Sequence, residues 1–375
     1  MPHVHNWMTA FRRILFLFFG GWMSFVSPCG LCAQVVDGVY ISPGRGFVVP
    51  HRPELRGLVS SHSTTFFAGF WNDTRYASKP KHWHGLYGYP QWGIEAYYSD
   101  LGNRRALGHQ FAAITFIKVP SKRLSGERIA ASAIWGIGAG YNTRVWDLGE
   151  NPKGIALGSH FNVCLAAGYL VDVKLSDRLH LETGVRFTHF SNGAIRLPNL
   201  GTNNLSAQVG LRYGFRRTMA ASALTETPSP SIPKNNEYRV HATVGMKQNL
   251  PPGGPNYMVY NLAGEYTRRL GFKHGVQLRA DGWFNTAAAA LLAGETQSLD
   301  RLQAGLAVGY RRHFGAATFD IQMGAYVFTR YKGNGAFYHR FQLAHRLTED
   351  WSASLGLTTH WARAHHPEIG IYHRF

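Results

Sequence analysis

The chain has 375 residues, with 39 Lys and Arg against 21 Asp and Glu, a formal charge of +18 and only 16% charged residues. On an exported chain that balance points to anionic lipid headgroups or anionic solutes, and nucleic acid is not an expected partner. The 42 Gly, 18 Tyr, 23 Phe and 10 Trp are unusual for a secreted soluble enzyme and fit strands that meet a lipid interface.

Arg12 and Arg13 precede the apolar run ILFLFFGGWMSFV at 14–26, and a small-residue site follows at Cys32-Ala33-Gln34. Together these read as a cleaved signal peptide over 1–33. Cleavage there removes Cys29 and Cys32 and leaves Cys164 without an intrachain partner. No later apolar run approaches about 18 residues, so no membrane-spanning helix is expected.

Segments with period-two alternation recur throughout the remaining chain, the signature of an all-β, antiparallel outer-membrane barrel. Candidates lie near 61–72, 90–99, 108–119, 128–142, 157–173, 178–191 and 203–215. Eight more lie near 237–248, 256–270, 274–285, 301–314, 317–330, 336–347, 351–361 and 367–375. Single-chain bacterial barrels use even strand numbers, so the expectation is about 14 strands, within a range of 12–16. In one segment Phe319, Ile321, Met323, Ala325 and Val327 oppose Thr318, Asp320, Gln322, Gly324 and Tyr326, a lipid-like face against a lumen-like one. Residues 216–236 are rich in Ser, Thr and Pro, lack alternation and read as a linker. This divides the chain into a barrel segment at 34–215, ending on the aromatic Phe215, and additional barrel strands at 237–375, ending on Phe375. One large barrel and two small ones both remain open at this point.

The segment LHLETGVRFTHFS carries the chemistry. Leu181, Thr183, Val185 and Phe187 share a face with His189 and Ser191, because residues two apart on a strand point the same way, roughly 6.5 Å apart along it. An imidazole beside a hydroxyl is a base beside a nucleophile. The pair falls on the apolar face, where unpaired polar groups are costly. The next segment places Asn203 on its apolar parity with Leu205, Ala207, Val209 and Leu211, so antiparallel pairing can bring Asn203 beside His189 on the outside of the barrel. His360, His365, His366 and Glu368 form the other cluster of interest; His360 is lumen-facing by parity, the spacing is loose for a metal, and no metal site is expected.

The run HFSNGAIRLPNLG, 189–201, resembles the signature of outer-membrane lipid A 3-O-deacylases, eight-stranded barrels carrying His-x-Ser-Asn and Pro-Asn-x-Gly in their last two strands. The resemblance covers about 60 to 215 and leaves 237–375 unexplained. It implies that Ser191 is the nucleophile and His189 the general base, with Asn192, Asn199 and loop N–H groups including that of Gly193 as oxyanion or positioning groups. Where that family has a Glu, this chain has Asn203, which can orient an imidazole but not stabilise its cation by charge. The motif is also similar to that of outer-membrane phospholipase A, a calcium-dependent barrel with Asn at the equivalent spacing. The expected function is removal of an ester-linked acyl chain from lipid A of lipopolysaccharide in the outer membrane of a Gram-negative bacterium. No cofactor is expected, except calcium under the phospholipase alternative. A non-catalytic barrel or channel with a decayed motif is the remaining alternative.

Overall fold

The computed structural model describes residues 36–78, 81–216, 236–292, 297–361 and 363–375. The expected signal peptide at 1–33 lies outside the described residues, as does most of the expected linker, 217–235. Among the described residues sixteen antiparallel strands close into two barrels of eight, at the upper end of the expected strand range and divided between two cylinders. The first barrel contains β1 (Gly38–Val48), β2 (Ser63–Asp73), β3 (Gln91–Asp100), β4 (His109–Ser125), β5 (Ile129–Asn142), β6 (Phe161–Lys174), β7 (Leu179–Ser191) and β8 (Thr202–Gly214). The second contains β9 (Asn236–Gln248), β10 (Asn256–Arg269), β11 (His274–Asn285), β12 (Leu302–Phe314), β13 (Ala317–Thr329), β14 (Phe337–Arg346), β15 (Trp351–His360) and β16 (Arg363–Arg374).

Each barrel closes by pairing its first strand with its last: Gly38 lies opposite Gly214 in one, and Ile371 opposite Ala242 in the other. Closure leaves none of these strands with an unpaired edge, which a lipid environment requires. Strand β1 has no counterpart among the sequence candidates. Its alternation is interrupted by Pro43, Gly44 and Gly46, and its recorded pairing with β8 skips Ser42 and Pro43. A proline has no N–H to give to a ladder and marks such a gap.

Side chains sort by parity in both barrels. Val39, Ile41, Val185, Val209, Leu211, Leu262, Leu278, Leu306 and Val308 are exposed around the outer walls, far more apolar surface than a water-soluble protein leaves open. Aromatic residues bracket this band. Tyr213, Phe215, Tyr238, Trp351 and Phe375 stand exposed at one end, and Phe47, Phe111, Tyr141, Phe161 and Trp361 at the other, the two girdles of a membrane barrel.

The lumens are packed. Phe67, Tyr97, Ile114, Cys164 and Phe190 form part of an apolar core in one half of the first barrel. Below it Arg186 pairs with Glu95, and Lys118 bridges Asp172 and Glu182 at 2.6 Å each. In the second barrel Arg311 holds Asp320 at 2.6 Å and Glu265 at 3.0 Å, while Arg340 spans Asp281 at 3.2 Å and Glu368 at 2.8 Å. Buried charge is tolerated here because each guanidinium or ammonium meets carboxylates.

The barrels touch at both ends. At the end carrying the short 126–128 and 175–178 turns, the Tyr87 ring stacks on Phe314 at 4.8 Å and its hydroxyl donates to His313 O at 2.7 Å. At the opposite end the 192–201 connection of the first barrel meets Gln248 and Pro367 of the second.

Candidate active site

Strand β7 runs in unbroken register against both neighbours, with His189 directly opposite Asn203 of β8 and Leu165 of β6. No bulge disturbs the parity. Glu182, Arg186, Thr188 and Phe190 are buried inside the barrel, so Val185, Phe187, His189 and Ser191 point outward, at the end of the wall where the aromatic girdle lies.

The hydrogen bonds define which atoms can react. His189 Nδ1 meets Asn203 Oδ1 at 2.6 Å. An amide oxygen only accepts, so Nδ1 carries the proton and Nε2 holds the free lone pair. Ser191 Oγ accepts from Asn199 Nδ2 at 2.9 Å and from the Gly193 N–H at 3.1 Å. The Asn199 amide is itself oriented, since its Oδ1 accepts the Asn192 N–H at 3.0 Å. Two donors therefore converge on the serine oxygen, while the imidazole occupies the same face of the strand. The hydroxyl itself points to Asn199 Oδ1 at 3.3 Å and not to His189.

The 192–201 connection is braced from within. The Asn192 side chain is buried and turns away from Ser191: its Oδ1 accepts from Ala194 and Arg196 N–H, and its Nδ2 donates to Ser159 Oγ at 2.7 Å and Arg196 O at 2.9 Å. Asn192 thus shapes the loop with its side chain and reaches the serine neighbourhood through its backbone N–H alone. Gly201 has φ +80°, and a Cβ there would stand 2.7 Å from His189 Cε1. Only glycine satisfies both the left-handed backbone and the close approach to the imidazole.

His51, on the connection after β1, has no signal in the local pattern. Its Nε2 meets Leu200 O at 2.9 Å and its Nδ1 meets Asn203 Nδ2 at 2.9 Å. Barrel closure brings it there: β8 lies between β7 and β1, and Val49 N–H donates to Asn203 O at 2.7 Å. The Cys164 thiol is buried inside the barrel, remote in orientation from the outward-facing serine. In the second barrel His365 Nδ1 lies 2.7 Å from His366 Nδ1, and the His360 and His365 rings are 4.7 Å apart, all buried in the lumen. Among the described residues no group of three or more potential ligands gathers into a metal site.

Two family models match. Residues 73–212 match lipid A 3-O-deacylase (PagL), and residues 236–375 match the C-terminal domain of acyloxyacyl hydrolase. No curated protein matches the chain. Among solved structures, the outer membrane enzyme PagL aligns at 17% identity over 46% of this chain and 98% of its own, with a TM-score of 0.28. A mutant of Rh. blastica porin aligns at 10% identity over 90% of this chain and 99% of its own, with a TM-score of 0.18. Structural likeness at that level decides nothing, whereas the two family matches lie on the two barrels and together span most of the chain. The first barrel thus carries the lipid A 3-O-deacylase match and the second the acyloxyacyl hydrolase C-terminal match, and the chain is an outer-membrane β-barrel protein.

Proposed function

We propose that this protein is a serine ester hydrolase that removes an ester-linked acyl chain from lipid A in the outer leaflet. The observation that carries this reading is the outward-facing His189–Asn203 pair at 2.6 Å with Ser191 on the same strand face. Lipid A keeps its acyl chains against the barrel wall, so a reactive serine on the lipid side of β7 meets the ester without a pocket in the lumen.

The chemistry follows from the atoms available. Ser191 Oγ attacks the ester carbonyl as its proton passes to His189 Nε2. The carbonyl oxygen becomes an oxyanion, and the Gly193 N–H and Asn199 Nδ2, which now donate to Ser191 Oγ, are the nearby donors that can turn to it as the serine oxygen enters the new bond. Collapse breaks the ester bond, and the leaving alkoxide takes the proton from His189. Water, deprotonated in turn by His189, then releases the fatty acid from Ser191. Asn203 holds the imidazole in the productive tautomer but supplies no charge for the imidazolium, so turnover below that of a carboxylate triad is expected.

Lipid profiles test the reading. Membranes carrying the wild-type chain lose an acyl chain from lipid A that a Ser191→Ala strain retains; identical profiles leave the non-catalytic barrel as the better account. Purified protein assayed in chelator separates the phospholipase-type alternative, whose activity depends on calcium, from the deacylase reading, whose activity persists.

A further inference from the structure

We infer that His51 is a positioning residue that fixes the orientation of the Asn203 amide and thereby the protonation state of His189. The inference rests on the functional reading above and extends it to a residue on a different strand connection.

A carboxylate opposite the imidazole would present an acceptor whichever way it turned. An amide does not: one orientation offers Oδ1 to His189 Nδ1, the other offers Nδ2. In the second case Nδ1 must accept, the proton sits on Nε2, and the ring has no lone pair left there to take the serine proton. Something must select the first orientation. Leu200 O can only accept, so His51 Nε2, 2.9 Å away, donates to it and neutral His51 presents a lone pair at Nδ1. That lone pair faces Asn203 Nδ2 at 2.9 Å and accepts only if the NH₂ group points at it. The Oδ1 then necessarily faces His189 Nδ1, as the 2.6 Å contact records. Four groups are set in sequence: a carbonyl fixes one imidazole, that imidazole fixes the amide, and the amide fixes the second imidazole.

Local structure makes this possible. His51 N–H donates back to Val49 O at 3.0 Å, a tight three-residue turn that folds the chain at the end of β1 over the end of β8.

The test uses the full-length chain in lipid and reads both tautomer and rate. In the wild type, nitrogen-15 shifts place the His189 proton on Nδ1; in His51→Leu they report a mixture with the Nε2–H form. The same variant lowers kcat about fivefold, the share of aligned amide that one hydrogen bond secures, with KM unchanged. His51→Gln, whose amide oxygen can accept from Asn203 Nδ2, recovers part of that loss. The His51→Leu loss shrinks to less than about twofold when Asn203→Glu is also introduced, because a carboxylate has no wrong orientation. An unchanged His189 tautomer in His51→Leu, or an equal loss with and without Asn203→Glu, overturns the proposal. The tautomer measurement decides it even if Ser191→Ala proves silent, so failure of the functional reading and failure of this one are separable.

Discussion

Gln248, the last residue of β9 in the second barrel, accepts a hydrogen bond from Leu197 N–H at 2.7 Å and donates its own backbone N–H to Ala194 O at 2.8 Å. Both partners belong to the connection that follows Ser191. Pro367 of β16 adds a steric stop, lying 2.9 Å from where a Cβ on Gly193 would be. The second barrel thus holds the loop whose Gly193 N–H faces the serine. Gln248→Ala is expected to lower kcat about tenfold, the effect of one lost charge-neutral bond together with loop disorder. Gln248→Glu keeps the acceptor and should retain most of the activity. Wild-type turnover in Gln248→Ala would detach the second barrel from the chemistry.

Asn203→Ala removes the acceptor at His189 Nδ1 and should reduce turnover by roughly one to three orders of magnitude, by analogy with triad substitutions. Asn203→Glu should preserve or raise it, since the carboxylate adds charge stabilisation to orientation. Steady-state kinetics on both variants check this, and indifference to both would remove Asn203 from the site.

Gly201→Ala tests the close approach to the imidazole. With φ at +80°, an added Cβ costs about 1–2 kcal/mol of backbone strain, and it also collides with His189. The expected result is a large loss of activity with a small fall in thermal midpoint, because the strain is confined to a connection. An active, fully stable variant would contradict the placement of the ring.

An eight-stranded barrel has an interior just wide enough for side chains, and here Arg186–Glu95, the Lys118 bridge and the Arg311 and Arg340 clusters occupy it. Purified protein in planar bilayers should give no stepwise conductance. Reproducible steps would favour the channel alternative.

Much of the outward geometry was legible because strand parity is local. Leu181, Val185 and Phe187 fix the face on which His189 and Ser191 stand, and no distant contact reverses it. Asn203 was within reach for the same reason, since one antiparallel connection joins it to His189. His51 was not, because it meets Asn203 across a separation of 152 residues, through a closing strand that the pattern missed. Pro43, Gly44 and Gly46 erase the alternation of β1, and the fifteen candidates were odd in number for want of that strand. Division into two cylinders depends on the β1–β8 and β9–β16 pairings, long-range contacts that periodicity does not encode. Asn192 illustrates a finer limit: its identity suggested a donor to the oxyanion, but the tight 192–196 turn consumes its side chain.

Eight is an even number, and this sets where the two cylinders can be joined. β8 finishes at the end opposite Ser191, and β9 starts there too, since its far end, Gln248, is the one that reaches the 192–201 connection. The end of β8 and the start of β9 therefore lie on the same side of the bilayer, and both cylinders stand the same way up. Every strand pairing lies within one cylinder or the other, so severing the covalent link between β8 and β9 removes none of them. The two halves would remain neighbours only as far as the contacts between them, those of Tyr87, Gln248 and Pro367 included, hold them, so a cleaved sample that still migrates as one particle would show that those contacts suffice.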